Sequence, residues 1–312
     1  MSKGRILVTG ADLAPKAAAL LADYELVFAG KTPTQEDIVA LCGAHDPVAV
    51  IVRYSGVNAA AMAAAPSLKV VSKHGSGTDT IDKAAAAQRG IQVRAAVGAN
   101  AAAVAEHALA LMLACAKSVV SLDARMRDGH WDKSTHKSVE LEGRTVGLIG
   151  LGAIGLRFAK VADAMGMRVI GFDPFAKSLP SFVQSVGLDE IWRDADVVSL
   201  HCPLTAENAR LVNAGTLAAC KRGVIVVNTA RGGLIDEAAL LAAVQSGQVL
   251  AAGLDSFAVE PMTADHPFLA EPRILLSPHI GGVTADAYVK MGVGAAQNVL
   301  EVLQGTPAAV HV

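Results

Sequence analysis

The sequence predicts an α/β fold built of two doubly wound domains, and three observations predict it. Short runs of β-branched residues alternate with alanine-rich stretches along the 312 residues, the pattern of parallel strands covered by helices on both faces. The alternation pauses after Gly98 and restarts at Thr145, and the length suits about two domains of roughly 150 residues each. A glycine motif, Gly150-x-Gly152-x-x-Gly155, stands directly after one apolar run and before a helical pattern.

In chain order, the first series has strand candidates at 5–8, 48–52, 68–72 and 92–94, separated by helical stretches such as 16–21, 35–41 and 83–89. One long apolar helix is expected over 99–120. The second series runs through strands at 145–149, 168–172, 197–200, 224–228 and 251–254 and closes with 274–276. A final helix over 284–303 is expected to stop at Gly305 and Pro307, a glycine and a proline in the places where helices end.

Composition excludes several classes of function. Hydrophobic residues make up 52% and charged residues 18%, the balance of a packed enzyme rather than of a disordered chain. A formal net charge of -2 argues against nucleic acid or another polyanion as partner. The four cysteines, Cys42, Cys115, Cys202 and Cys220, form no C-x-x-C pair and no tight cluster with histidines of the kind that suggests zinc, so no metal site is expected and reduced, cytoplasmic thiols are the economical reading. The N-terminus enters a short strand without the features of a secretory signal. The 99–120 helix is interrupted by Asn100, Glu106, His107 and Lys117 and reads as a buried or interface helix, not a membrane span.

Each glycine of the motif answers a steric need. Gly150 permits a tight turn, Gly152 lets backbone N–H groups approach a pyrophosphate, and Gly155 lets helix and strand pack closely. The next strand ends on Asp173, 18 positions after Gly155, where a carboxylate can accept both ribose hydroxyls of an adenosine. A 2′-phosphate would be repelled there, and Pro174 and Phe175 follow instead of an arginine. NAD is therefore expected over NADP, with Lys177 the nearest cation.

Downstream, three segments put ionisable residues at or beyond strand ends: Arg231 in VVNTARGGLID, Asp255 and Glu260 in GLDSFAVEP, and His279 in LLSPHIGG. In open α/β sheets the ligand crevice lies at the strand carboxyl ends. With VSKHGSGTDTID, VAEHALALML, the glycine loop and HCPLT, these segments resemble, in order and over nearly the whole chain, the D-isomer-specific 2-hydroxyacid dehydrogenases. The resemblance implies a Rossmann NAD-binding domain at 99–283 and a smaller flavodoxin-like substrate-binding domain formed by 1–98 and 284–312. It implies hydride transfer between NAD(H) and C2 of a small 2-hydroxy or 2-oxo acid. Arg231 would hold the carboxylate and polarise the carbonyl, and His279 would exchange the proton. Glu260 would orient the imidazole and favour its charged form. Around the cofactor it implies Ala153, Ile154, His201, Cys202, Pro203, Thr229, Ala230, Asp255 and Gly282 beside the glycines and Asp173. Cys202 reads as a packed thiol rather than a nucleophile.

In the small domain KHGSGTDTID resembles the family's substrate-carboxylate loop, in which the N–H groups of Ser76 and Gly77 form an anion nest. A purely structural turn is the alternative. Arg53 is read either as a ligand for a substrate's distal group or as an ordinary salt-bridge partner. Asp79 and Asp82 read as turn and cap residues, and His74 has no assigned role. The resemblance further implies a homodimer with 99–131 in the contact. Hydroxypyruvate or glyoxylate is the first expected substrate. 3-Phosphoglycerate comes second, since no additional C-terminal regulatory domain is expected. The family's NAD(H)-sensing corepressors keep the same arginine, glutamate and histidine, so the triad alone does not separate sensor from enzyme.

Overall fold

The expected alternation is realised in a computed structural model, which describes residues 2–305. Twelve strands form: β1 (Arg5–Val8), β2 (Glu25–Phe28), β3 (Ala49–Val52), β4 (Val70–Lys73), β5 (Gln92–Ala95), β6 (Thr145–Ile149), β7 (Arg168–Phe172), β8 (Val183–Ser185), β9 (Val197–Leu200), β10 (Val224–Asn228), β11 (Val249–Leu254) and β12 (Ile274–Leu276). The α-helices are α1 (Pro15–Leu20), α2 (Gln35–His45), α3 (Ala59–Ala64), α4 (Lys83–Gln88), α5 (Ala101–Lys117), α6 (Val119–Arg127), α7 (Ala153–Ala164), α8 (Leu188–Asp194), α9 (Ala214–Ala219), α10 (Glu237–Gln245) and α11 (Ala285–Leu303).

The chain divides into two units, Met1–Asn100 with Val283–Val312, and Ala101–Gly282. In the first, five parallel strands take the order β2-β1-β3-β4-β5. One face carries α2, α3 and α4 over Leu7, Val50 and Val71, and the other carries α1 and α11 over Ile6, Val8 and Ile51. The second unit has seven parallel strands in the order β12-β11-β10-β9-β6-β7-β8. Phe158 and Met112 pack on one face with Leu148 and Ile225, and Ile191 and Leu240 on the other with Ile170 and Val226. Central strands such as β3 and β10 are buried at every position, which is why they read as unbroken apolar runs.

Three differences from expectation have physical causes. Strands β2 and β8 leave no mark on the sequence pattern because both are edge strands with half-exposed, mixed sequences, ELVF and VQS, where burial imposes little pattern. The helix expected over 99–120 is two helices, since Ser118 takes a left-handed φ of 53° and the chain bends by 60° between α5 and α6. Helix α3, with six residues, is too short to show a 3.6-residue period, but Asn58 caps it by accepting the Ala61 N–H. Side-chain caps also start α2 (Thr34), α4 (Asp82), α9 (Asn213), α10 (Asp236) and α11 (Thr284), each contributing about 1 kcal/mol. Pro307 lies outside the described residues.

Candidate active site

The second unit gathers its chemistry at the carboxyl ends of its strands. The glycine loop follows β6, at the point where the strand order reverses between β9 and β7. Gly150 has φ +96°, and a Cβ there would lie 2.6 Å from the His201 carbonyl carbon. A Cβ on Gly155 would lie 2.1 Å from the Gly150 oxygen, so both positions exclude any other residue. Gly152 is different, with nothing within 4 Å of where its Cβ would be. It opens α7 with no side-chain cap, leaving the first-turn N–H groups, including those of Ala153 and Ile154, with no side-chain acceptor at the positive end of the helix dipole.

Asp173 closes the rim of this loop. Its Oδ2 accepts the Leu151 N–H at 2.8 Å and its Oδ1 accepts the Phe175 N–H at 2.9 Å, leaving each oxygen a second lone pair. Behind the loop, the His201 imidazole packs on Phe158 with ring centroids 5.3 Å apart, and burial pushes its pKa down to about 4. Its Nε2 pairs with Ser199 Oγ at 2.9 Å. Cys202 is half-buried, its pKa raised mainly by burial, and Asn208 Nδ2 donates to the adjacent Pro203 carbonyl. In this unit three buried polar atoms have no partner among the described residues: His201 Nδ1, Thr229 Oγ1 and Ser256 Oγ. An uncapped helix start beside an anchored carboxylate, with orphaned hydroxyls at the neighbouring strand ends, fits a dinucleotide.

Arg231 sits in a turn built by Asn228, the last residue of β10. The fully buried Asn228 side chain donates to the Arg231 carbonyl at 2.9 Å and accepts the Ala230 N–H at 3.0 Å. The next residue must be glycine, because a Cβ on Gly232 would lie 1.9 Å from the Phe257 carbonyl carbon. That contact locks the arginine turn against the loop that follows β11, which carries Glu260. Glu260 Oε1 accepts the Phe257 N–H at 2.9 Å, and Oε2 lies 2.7 Å from His279 Nδ1. An ionised carboxylate can only accept, so Nδ1 carries the hydrogen and Nε2 is left to exchange a proton.

His279 takes the left-handed φ of 52°, a strained conformation for a residue with a side chain. Asp255 holds it there. This carboxylate, 2% exposed, accepts the N–H groups of Ile280 and Gly281 at 2.9 and 2.8 Å and the Ser277 hydroxyl at 2.6 Å. Gly281 is required by the closeness, since its Cβ would approach Asp255 Oδ2 to 2.9 Å. His107 of α5 completes the chain with Nε2 at 2.8 Å from Ser277 Oγ. The single Ser277 proton goes to Asp255, so His107 is the donor in that contact. The family resemblance places Asp255 on the cofactor. The structure shows its oxygens engaged by the histidine turn, and adds as positioning residues Asn228, Ser277 and His107, which stand inside the segments VVNTARGGLID, LLSPHIGG and VAEHALALML but carry no role in the sequence reading.

The remaining candidates belong to the other unit. Gly75 takes φ +138° at the end of β4, and Ser76 is exposed, donating to Asn100 Oδ1 at 3.4 Å. Asp82 caps α4. His74 is buried beside Tyr288, and its pKa is lowered to about 4, chiefly by burial. Arg53 follows β3 and is paired with Asp12. Among the described residues no group of histidine, cysteine, aspartate and glutamate is arranged to hold a metal.

The family model described as "D-isomer specific 2-hydroxyacid dehydrogenase, NAD binding domain" matches residues 109–281, the span that carries the glycine loop, Arg231, Glu260 and His279. The chain belongs to the D-isomer-specific 2-hydroxyacid dehydrogenase family. A hydroxypyruvate reductase of Thermotoga maritima is 41% identical over 258 residues, 82% of this chain and 84% of that one. The D-3-phosphoglycerate dehydrogenase of Mycobacterium tuberculosis is 40% identical over 306 residues, 96% of this chain. The chain spans 57% of that relative's length. Among solved structures, the TT0316 protein from Thermus thermophilus superposes with a TM-score of 0.90 at 37% identity, covering 98% of this chain and 99% of that one.

Proposed function

We propose that the chain is an NAD-dependent oxidoreductase that moves a hydride between nicotinamide and C2 of a small D-2-hydroxy or 2-oxo acid, with hydroxypyruvate or glyoxylate as favoured substrate. The observation that carries this reading is the Glu260–His279 pair, 2.7 Å apart, in the same unit as an uncapped glycine-loop helix and Arg231. When bound, NAD(H) supplies or accepts the hydride. The chain's own work is to bind, orient and move a proton. His279 Nε2 gives a proton to the carbonyl oxygen during reduction and takes it back during oxidation. Glu260 fixes the ring, and Arg231 draws on the substrate carboxylate and carbonyl. The Ser76 and Gly77 N–H groups receive the substrate carboxylate in the small unit.

A panel of 2-oxo acids assayed with NADH, including phosphorylated and sulfonated ones, tests the reading. Tight NADH binding without turnover of any of them would instead favour a sensing protein. The 3-phosphoglycerate reading has the mycobacterial relative behind it, and the same panel decides it.

NAD is proposed as the working cofactor because Asp173 presents lone pairs at the loop rim. Preference over NADP in kcat/KM is expected to reach at least about tenfold, or roughly 1.4 kcal/mol. Asp173→Ala should raise KM for NAD far more than it changes kcat, and equal use of both cofactors by the unaltered enzyme would refute the assignment.

A homodimer is also proposed. Helix α6 buries none of its residues within the described chain, and Val119, Val120, Met126 and the 72%-exposed Trp131 are large apolar side chains left exposed on and beside it. Light scattering on Trp131→Glu should show the mass falling from dimer toward monomer. A mass that does not change would place the contact elsewhere. Among the described residues no single helix is long and apolar enough to cross a membrane, and a cytoplasmic location is proposed with the four free cysteines in mind.

A further inference from the structure

In the first unit the strand order β2-β1-β3-β4-β5 reverses between β1 and β3, the place where a sheet of this order receives its ligand. Asp12 follows β1 and Arg53 follows β3, so the pair stands at that switch point. The Arg53 side chain is 8% exposed and is caged. Its Nη1 donates to the Asp12 carboxylate and, at 2.7 Å, to the Asp12 carbonyl, and its Nη2 donates to the Tyr54 hydroxyl at 2.9 Å. The guanidinium carbon lies 4.8 and 4.9 Å from the ring centroids of Tyr54 and Tyr288. Tyr288 donates its hydroxyl proton to Asp12 Oδ1 at 2.9 Å, and Gly10 makes room for the arginine stem, since its Cβ would meet Arg53 Cδ at 2.9 Å.

The exposure of the two partners is unequal. The Asp12 side chain is 68% exposed while the guanidinium is covered, so an arriving ligand meets the carboxylate before the cation. Nearby, His74 is held in its neutral form by burial, and Lys73 Nζ donates to the Arg53 carbonyl at 2.9 Å. A phosphate or sulfonate meets like charge at Asp12 and must displace it to reach Arg53. A hydroxyl group, in contrast, donates a hydrogen bond to the same carboxylate. Discrimination of this kind comes from an unfavourable contact with the wrong ligand as much as from a favourable one with the right ligand.

We propose that Asp12 is a specificity-determining residue that closes Arg53 to a second anionic group, so that the chain takes 2-oxo acids whose distal substituent is uncharged. The proposal rests on the dehydrogenase reading above, and it is tested in two ways so that the two can fail separately. In steady-state assays with NADH, the ratio of kcat/KM for 3-phosphohydroxypyruvate to that for hydroxypyruvate should rise at least about tenfold in Asp12→Asn, and the gain should vanish in Asp12→Asn/Arg53→Ala. Independently of turnover, inorganic phosphate should raise the melting temperature of Asp12→Asn but neither that of the unaltered protein nor that of the double variant. Asp12→Ser serves as a second charge-removing variant if the asparagine form folds poorly. An unchanged substrate ratio, an unaltered enzyme that already prefers the phosphorylated acid, or phosphate stabilisation that survives loss of Arg53 would each overturn the proposal. Absence of turnover with every oxo acid would defeat the dehydrogenase reading, and the melting experiment alone would then judge the role of Asp12.

Discussion

Replacing His279 with alanine is expected to remove most of kcat in both directions, by about 10²–10⁴-fold, or roughly 3–5 kcal/mol of transition-state stabilisation. The imidazole is the group whose free Nε2 can carry a proton while Nδ1 is held by Glu260 at 2.7 Å. Reduction requires the imidazolium, so its rate should fall as pH rises and the proton is lost. Oxidation requires the neutral ring and should show the opposite limb. Glu260→Gln removes the carboxylate that orients the ring, and kcat should fall in both directions. NADH binding should persist in both variants, because the glycine loop is built from other strands. A folded His279→Ala enzyme with near-normal turnover would sink the scheme, since the proton would then come from another group.

The second large effect is expected at Arg231. Arg231→Ala should lower kcat and raise KM for the oxo acid together, because one guanidinium is asked both to anchor the carboxylate and to polarise the carbonyl. Loss of a single such donor typically costs about 10²–10³-fold in kcat. Arg231→Lys should recover only part of it, since an ammonium offers a point charge where the guanidinium offers a planar fork. Fluorescence titration with NADH separates this from collapse of the turn. Asn228 and Gly232 hold the turn's backbone, to which the Arg231 side chain adds a bond from Nη1 to the Ala230 carbonyl at 2.7 Å, and cofactor affinity should change little. A variant that loses NADH binding as well would show that Arg231 supports the fold of the loop instead.

Much of this is legible in the sequence because it is encoded locally. The buried central strands are written as apolar runs, the glycine motif as two steric exclusions around one open helix start, and the ends of β3, β7 and β11 as the places where Arg53, Asp173 and Asp255 interrupt the run. Gly150 and Gly155 are readable from their spacing alone, since the approaches that exclude a side chain there recur wherever a strand turns into a helix over a phosphate. Arg231, Glu260 and His279 are readable only through the family resemblance of the ordered segments that carry them.

What the sequence could not show is what depends on residues far apart in it. The edge strands β2 and β8 are decided by pairing with β1 and β7, not by their own mixed composition. The break at Ser118 is a backbone conformation that no propensity marks. His107 reaches Ser277 across 170 positions, and Asp255 reaches Gly281 across 26, to hold His279 in a strained left-handed turn. Arg53 is met by Asp12 across 41 positions. The sequence by itself determined the α/β class and the glycine loop, because propensity, period and glycine sterics act over a few residues. Only the tertiary structure decided which carboxylate positions the histidine turn and which one covers the arginine, because a hydrogen bond between distant segments exists only once the sheet has brought its strand ends side by side.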